Sequence, residues 1–234
     1  MKPLIIGNWK CNPATKKEAQ RMFEAIKRGI KNVRGVEAVI CAPFTYLGLL
    51  KPSSFLEIGA QDCFWEEKGA YTGEISPKQL PDLNCKYVII GHSERRKYQN
   101  ETDEMINKKI KSALKFSLRP ILCVGETENE RRKGKTKEVL KKQLQKGAEG
   151  IKNLVVAYEP VWAIGTGKTC GIPEAKEVNL SIRRLTKNTP IVYGGSVNSQ
   201  NARDFIKKAG FQGLLVGGAS LNPQEFIKIV KASI

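Results

Sequence analysis

Residues 190–218 read PIVYGGSVNSQNARDFIKKAGFQGLLVGG and contain one complete structural repeat. An apolar, β-branched run opens the stretch at Pro190 to Tyr193, and a second run closes it at Gly213 to Val216. A segment long enough for a helix lies between the runs, and a pair of glycines follows each of them. A strand, a helix and a second strand within about 30 residues form a βαβ unit. We therefore predict parallel strands that are joined by a crossover helix.

Similar apolar runs occur eight times along the chain. Eight units in 234 residues give about 29 residues each, close to the size of such a repeat. This number favours a closed eight-stranded parallel (β/α)8 barrel over a doubly wound sheet, and residues 7–10 (GNWK) lack the dinucleotide-binding fingerprint of the latter. No linker divides the chain, so we predict one α/β domain over residues 1–234. The candidate strands are Leu4 to Ile6, Ala38 to Cys41, Leu56 to Ala60, Tyr87 to Ile90, Pro120 to Val124, Leu154 to Tyr158, Pro190 to Tyr193 and Gly213 to Val216.

Capping signals predict helices after the first and the eighth strand. Thr15 to Glu18 fits a capping box at the start of the first helix. At the last helix, Asn222 is a suitable cap, Pro223 suits the first helical position, and Glu225 would complete a second box.

The charge of the chain narrows its possible partners. Lys and Arg number 40 against 23 Asp and Glu, and the net charge of +17 suits phosphorylated metabolites, nucleic acid or an acidic membrane surface. The densest basic cluster, Arg131 to Lys152, contains no aromatic residue, which argues against nucleic acid and favours solvated helix faces. The longest charge-free stretch, Ala209 to Gln224, is shorter than the ~18 residues that a membrane span requires.

Histidine and cysteine usage point to a reduced protein without a metal. The single histidine, His92, disfavours every metal site that needs two or more imidazoles. The six cysteines are far apart and form no C-x-x-C pair, so we expect a reduced, cytoplasmic protein. The N-terminus lacks the apolar region of a signal peptide, and secretion is not expected.

Polar or glycine-rich segments follow five of the candidate strands. In a parallel barrel, the loops after the strands meet on one face, where active sites form. We therefore expect these segments to build a common site. They are residues 8–10 (NWK), 91–96 (GHSERR), 159–168 (EPVWAIGTGK), 194–196 (GGS) and 217–218 (GG).

The glycine-rich segments favour phosphate binding. Residues 194–195 and 217–218 would let backbone N–H groups approach an oxyanion, although either pair alone is equally typical of a tight turn. Residues 165–169 (GTGKT) look like part of an ATP-binding P-loop, but that motif needs a glycine where the chain has Trp162. A hinged lid from Pro160 to Cys170 is the better interpretation, with a plain surface loop as the alternative.

Four polar side chains at the strand ends are candidates for proton-transfer chemistry. Glu159 follows an apolar strand, where burial would raise the pKa of its carboxyl and make it a usable base; the alternative is a salt-bridge partner. Lys10, beside Asn8, is either a surface cation or a group that neutralises charge on a substrate oxygen. His92 is either structural or, at the start of a helix, a neutral hydrogen-bond donor.

Five of these segments together resemble the signature blocks of the triosephosphate isomerase family. The resemblance runs from the first strand to the last helix in the family order. It implies a TIM barrel that interconverts dihydroxyacetone phosphate and glyceraldehyde 3-phosphate, in glycolysis and gluconeogenesis, without metal or cofactor. The matching blocks are residues 7–10 (GNWK), 91–96 (GHSERR), 157–168 (AYEPVWAIGTGK), 193–197 (YGGSV) and 216–219 (VGGA).

The resemblance also implies a role for each site residue. Glu159 matches the base that moves a proton between adjacent carbons through an enediol(ate). His92 matches a neutral electrophile, Lys10 an electrostatic stabiliser, and Asn8 the residue that holds the substrate oxygen. The matches to the donors around the phosphate are Gly165, Ser196, Gly217 and Gly218.

Supporting positions follow from the same resemblance. Glu94 matches a residue that packs near Lys10 in an ion pair. Cys123 matches a cysteine near the site with a packing role. Glu126 is expected to tether the lid through Trp162.

Family members usually form homodimers in which the third loop enters a pocket of the partner. Thr72 matches the tip residue of that loop, which supports the partner's Asn8. An exposed loop that carries Phe64, Trp65 and Tyr71 would be costly in a monomer. A loop packed on itself is the alternative.

One departure from the family and two other functions stay open. Residues 171–190 look shorter than the family's usual sixth helix and the connection after it, which leaves the support of the lid open. An isomerase or lyase of another small phosphosugar would use the same barrel, but would usually need a roomier mouth, a Schiff-base lysine or a metal. A nucleic-acid-binding protein is motivated only by the charge of +17.

Overall fold

The computed structural model describes residues 2–164 and 169–234. Eight parallel strands form a closed barrel in chain order, which confirms the predicted fold class. The last strand pairs with the first, so that Gly213 lies opposite Leu4 and the barrel closes. The strands are β1 (Leu4–Asn8), β2 (Glu37–Cys41), β3 (Glu57–Ala60), β4 (Cys85–Ile90), β5 (Arg119–Val124), β6 (Val155–Tyr158), β7 (Ile191–Tyr193) and β8 (Gly213–Val216).

Helices between the strands cover the outside of the barrel. Thr15 caps the first helix by accepting a hydrogen bond from the Glu18 N–H, and Asn222 caps the last one. Neither predicted capping box is complete: the Glu18 carboxylate accepts no hydrogen bond from the Thr15 N–H in the described residues, and the Glu225 carboxylate accepts from the Ser199 N–H at 2.7 Å, which ties the last helix to the loop after β7. The helices are α1 (Lys16–Ile30), α2 (Phe44–Leu47), α3 (Gln79–Asp82), α4 (Ser93–Tyr98), α5 (Asp103–Lys115), α6 (Glu128–Arg132), α7 (Thr136–Gly147), α8 (Ile172–Thr186), α9 (Ala202–Lys207) and α10 (Pro223–Ala232).

The strands divide their side chains between two apolar layers. Ile6 packs inside the barrel with residues from the other strands, whereas its neighbour Ile5 belongs to the layer between strands and helices. A Cβ on Gly29 of α1 would lie 2.2 Å from Ile227 Cδ1, so this glycine lets α10 approach α1 closely. Because side chains fill the barrel interior, a binding site has to lie at its ends.

The unit between β6 and β7 contains a full-length helix. α8 has 15 residues, as many as α1, and buries Ala175 and Ile182. The sixth helix is therefore as long as the first, and the shortness of residues 171–190 relative to the family stays a prediction. The connection after it is short and runs from Lys187, at φ 52°, to Pro190.

The six cysteines are free, and only Cys11 is exposed. Burial raises the pKa of each of the five other thiols, so they stay protonated and pack as small apolar groups. In the part of the chain that the structure describes, no helix is both long enough and apolar enough to cross a membrane.

Candidate active site

A cavity of about 250 Å³, here called the mouth cavity, opens at the carboxyl ends of the strands. It brings together residues from the segments that follow strands β1, β4, β6, β7 and β8. Gly165 and the rest of the central lid, residues 165–168, lie outside the described residues. The candidate residues that line the mouth cavity are Asn8, Lys10, His92, Glu159, Ser196, Gly217 and Gly218.

Glu159 lies directly after β6 and is only 2% exposed. Its Oε1 is 3.1 Å from His92 Nε2, and its Oε2 accepts a hydrogen bond from the Ser93 N–H at 3.3 Å. Burial raises the pKa of Glu159, but contacts with His92 and Ser93 and the charge of Lys10 lower it by more. The net shift is downward, so the expected upward shift is wrong for this arrangement of the site.

His92 is the residue that precedes α4 and caps it. Its Nδ1 accepts a hydrogen bond from the Glu94 N–H at 3.2 Å. An accepting Nδ1 carries no proton, so the proton of the neutral ring lies on Nε2, which faces Glu159. Burial lowers the pKa of His92, but the Glu159 and Glu94 carboxylates raise it by more, so the net shift is upward and opposite to the lowering that we expected at the start of a helix. The geometry therefore makes His92 a hydrogen-bond donor toward the cavity.

Lys10 is held in an unusual backbone conformation at the end of β1. Its φ is 54°, a left-handed conformation that costs roughly 1–2 kcal/mol for an L-residue. Asn8 Oδ1 accepts the Lys10 N–H at 3.0 Å, and Gln61 Nε2 donates to the Lys10 carbonyl at 2.9 Å. The ammonium group pairs with Glu94 at 2.5 Å. The turn thus directs Lys10 into the mouth cavity, and sequence reasoning missed the part that Gln61 plays in it.

The glycine turns after β7 and β8 leave backbone donors on the cavity wall. A Cβ on Gly194 would lie 2.8 Å from Glu159 Cγ, so only glycine leaves room for this carboxylate. Among the residues described, the backbone N–H groups of Ser196, Gly217 and Gly218 donate no hydrogen bond to a protein acceptor. Unpaired N–H groups of this kind suit an anion.

Trp162, just after the start of the predicted lid, is held by a polar cluster. Its Nε1 donates to Glu126 at 2.8 Å, and the Tyr158 hydroxyl contacts the same carboxylate. The Arg131 guanidinium lies 3.7 Å from the centre of the Trp162 ring and makes two hydrogen bonds with Glu174, at 2.9 and 2.8 Å. Sequence reasoning missed Tyr158, Arg131 and Glu174, because no spacing pattern relates these separate segments.

A buried network of four charged residues supports α4. Lys109 Nζ lies 2.7 Å from Asp62 Oδ2 and also contacts Glu101. Arg95 bridges the same two carboxylates at 2.9 and 3.0 Å. Burial raises the pKa of Asp62 to about 6 against the opposing charge of Lys109. Because Arg95 belongs to α4, the network fixes the helix that His92 caps.

The third loop is partly packed on itself. Phe64 is buried, with its ring centre 4.0 Å from that of Trp65 and 4.8 Å from that of Tyr71. The expectation that all three aromatic residues are exposed is therefore wrong for Phe64, and Trp65 is half-buried. Tyr71 is 46% exposed, and Thr72 beside it is exposed as well.

Cys123 lies inside the barrel near the site. Burial raises the pKa of its thiol, and the Glu159 carboxylate raises it further, so the thiol is a protonated packing group. Across residues 2–164 and 169–234, no group of three or more His, Cys, Asp or Glu side chains is arranged to hold a metal ion.

Comparison with known proteins places this geometry in a family. The family model described as "Triosephosphate isomerase" matches residues 3–233. The chain belongs to the triosephosphate isomerase family. This confirms the resemblance and the expected enzyme class, an aldose–ketose isomerase. The curated triosephosphate isomerases of Dictyoglomus turgidum and Dictyoglomus thermophilum are 48% and 49% identical to it, over 98% of both chains in each case.

A solved triosephosphate isomerase shows the same barrel. The crystal structure from Bartonella henselae superposes with a TM-score of 0.89 and 34% identity, and the match covers 99% of each chain. The triosephosphate isomerase of Carboxydothermus hydrogenoformans is 46% identical over 250 aligned positions that cover all of this chain. Since the chain has 234 residues, that triosephosphate isomerase contains residues without a counterpart here.

Proposed function

We propose that this chain interconverts dihydroxyacetone phosphate and D-glyceraldehyde 3-phosphate by proton transfer through an enediol(ate), with Glu159 as the base. The observation that carries the proposal is the contact between Glu159 and His92 in one small cavity that Lys10 and Asn8 also line. A carboxylate and an imidazole side by side can serve the carbon and the oxygen of the same carbonyl group.

The proton chemistry follows from the contacts of Glu159. A substrate carbonyl that takes the hydrogen bond of His92 removes a contact that lowers the pKa of Glu159. The upward effect of burial on the pKa of Glu159 is then opposed by fewer contacts. The carboxylate becomes a stronger base toward the carbon next to the carbonyl. The same carboxyl returns the proton to the adjacent carbon, which completes the isomerisation.

The polar groups of His92, Lys10 and Asn8 can bind the carbonyl and hydroxyl oxygens of the substrate. His92 Nε2–H donates to the oxygen on which negative charge develops, and the Lys10 ammonium stabilises that charge. Asn8 orients the turn through its hydrogen bond to the Lys10 N–H, and its side-chain amide is available to a substrate hydroxyl. Glu94 keeps the Lys10 side chain in place through their ion pair.

The phosphate group fits the opposite wall. The unpaired N–H groups of Ser196, Gly217 and Gly218 can bind its oxygens, and the family resemblance adds Gly165. Lid closure over residues 160–170 would exclude water from the intermediate. Glu126 and Trp162 would anchor the start of that lid through their 2.8 Å hydrogen bond.

The size of the mouth cavity favours a triose over a larger phosphosugar. Its volume of about 250 Å³ lies below the ~300–1,000 Å³ that is common for small-molecule sites. An isomerase or lyase of a larger phosphosugar is therefore the weaker candidate.

Assembly and location follow from the same proposal. A homodimer would bury the exposed Tyr71 and would bring Thr72 against the partner subunit near its mouth cavity. A cytoplasmic glycolytic and gluconeogenic enzyme agrees with the protonated cysteines, and its substrate would account for part of the positive charge. Nucleic acid and membranes are not among the proposed partners.

The test is an isomerase assay with dihydroxyacetone phosphate in the presence of a chelator. Wild-type protein should turn over the triose much faster than ribose 5-phosphate. Glu159→Gln should keep the fold and lose roughly 10²–10⁴-fold in rate, because a positioned base contributes about that much. The exposed Glu138→Gln is the matched control and should keep the wild-type rate. Full activity of Glu159→Gln, or a preference for the pentose, would contradict the proposal.

A further inference from the structure

A second groove lies at the other end of the barrel from the mouth cavity. It has a volume of about 670 Å³ and is bounded by the end of α7, the start of β6 and the end of α8. We call it the basal groove. Its wall is largely apolar and includes Leu144, Ile151, Leu154 and Leu185. Leu185 is 44% exposed, so apolar surface stays open to solvent here.

The rim of the basal groove is strongly basic. Lys152 and Lys187 both line it, and within the described residues neither lies within 4 Å of a carboxylate. Residues 141–152 and 183–189 together contain seven Lys or Arg and a single acidic residue, Glu149. Lys146 among them pairs with Glu104 at 2.8 Å, whereas Lys152 and Lys187 bring positive charge without an ion pair in the described part of the chain to the apolar wall of the groove.

The wall of the basal groove includes the short connection between α8 and β7. Lys187 is the first residue of the short connection between α8 and β7, and it forms part of the groove wall.

We propose that the basal groove binds an anionic amphiphile, with a single apolar chain along Leu144, Ile151 and Leu185 and an anionic head group at Lys152 and Lys187. The volume lies within the ~300–1,000 Å³ of small-molecule sites. A second copy of the chain would place the same basic segments against each other. Charge and size thus select a small anion with an apolar tail.

Calorimetric titration with decanoate below its micelle concentration tests this site on the full chain. We expect saturable binding with one site per chain, at least tenfold tighter than binding of the neutral decanol. Lys152→Gln/Lys187→Gln should weaken decanoate binding about tenfold, because two charge contacts are lost. Leu185→Ala should weaken it about fivefold through lost apolar contact.

Matched controls separate the groove from general charge and hydrophobicity. Lys228→Gln/Lys231→Gln removes two charges from α10, and Leu180→Ala removes a leucine of α8 that is 46% exposed but outside the groove. Both controls should bind decanoate like the wild type. Circular dichroism and thermal unfolding should show that all four variants are folded.

Four results would overturn the proposal. The first is the absence of saturable decanoate binding, and the second is equal binding of decanol. The third is binding that the groove variants and the control variants change to the same degree. The fourth is adsorption of the protein to vesicles of anionic phospholipid that added decanoate does not reverse. The basic segments would then contact membranes without using the groove.

Discussion

The Arg131 guanidinium stacks on the Trp162 ring at 3.7 Å while it forms two hydrogen bonds with Glu174. Trp162 lies at the start of the predicted lid, and Glu174 lies in the first turn of the helix that follows the lid. Arg131 therefore joins the two ends of that segment. A cation–π contact at a partly exposed site stabilises by roughly 0.5–2 kcal/mol, enough to influence the position of Trp162.

Arg131→Met should lower isomerase kcat/KM about tenfold. The variant loses a contact that positions the lid, and a loss of about 1.4 kcal/mol in transition-state stabilisation corresponds to a tenfold lower rate. Steady-state kinetics provide the measurement, and Trp162 fluorescence should shift toward that of a more solvated indole. Arg132→Met is the control, because Arg132 pairs with Glu128 at 2.7 Å on the exposed side of the same helix. If both variants keep the wild-type kcat/KM, the positioning role of Arg131 is refuted.

Gly125→Ala should destabilise the fold and distort the site. A Cβ at this position would lie 1.7 Å from the carbonyl oxygen of Glu159, so the backbone that carries the base would have to move. We expect a loss of about 3 kcal/mol in the free energy of unfolding, the upper part of the range for overpacking. Urea unfolding measures the change. Gly48→Ala is the control, since its Cβ would meet no atom closer than 3.6 Å and its φ is −66°.

Tyr71→Glu should dissociate the proposed homodimer. The exposed Tyr71 ring would lie in the interface, and a buried unpaired carboxylate is unfavourable there. Sedimentation velocity at micromolar protein should show a dimer for the wild type and a monomer for the variant, with reduced isomerase activity. Glu66→Gln, an exposed change in the same loop, should leave the dimer intact. A wild-type monomer with full activity would refute the role assigned to Thr72.

The barrel could be predicted from sequence because each strand is encoded locally. Gly213 to Val216 is the strand that the apolar run predicts, and the other seven runs differ from the observed strands by at most two residues at either end. The site could be located for the same reason, since the segments after Asn8 and Tyr158 follow the carboxyl ends of parallel strands. The apolar runs predict where each strand ends, and a parallel barrel brings the carboxyl ends of its strands to one face.

Long-range electrostatics could not be predicted in this way. The sequence shows that Glu159 is buried, but the downward shift of its pKa depends on His92, 67 positions earlier in the chain. Likewise, Asp62 and Lys109 meet only because the third loop and α5 pack together. No periodicity relates such partners, so the direction of each shift needs the folded structure.

Asp62 should make the stability of the fold depend on pH in a direction opposite to that of most carboxyl groups. Burial raises its pKa from 3.8 to about 6, so the folded protein holds this proton more tightly than the unfolded chain. The stabilising contribution is present in full below pH 3.8 and is lost as the pH rises through about 6. Asp62→Asn lacks this titration. The free energy of unfolding of the wild type, relative to that of Asp62→Asn, should therefore fall by about 2 kcal/mol between pH 4 and 7.

Urea unfolding of both proteins at intervals between pH 4 and 7 measures the difference. Asp82→Asn changes an exposed aspartate of α3 and controls for the general effect of removing a negative charge. The difference in free energy of unfolding between the wild type and Asp82→Asn should be nearly independent of pH. If the wild type instead gained stability over Asp62→Asn as the pH rises, the ion pairs with Lys109 and Arg95 would outweigh burial, and the pKa of Asp62 would lie below its ordinary value.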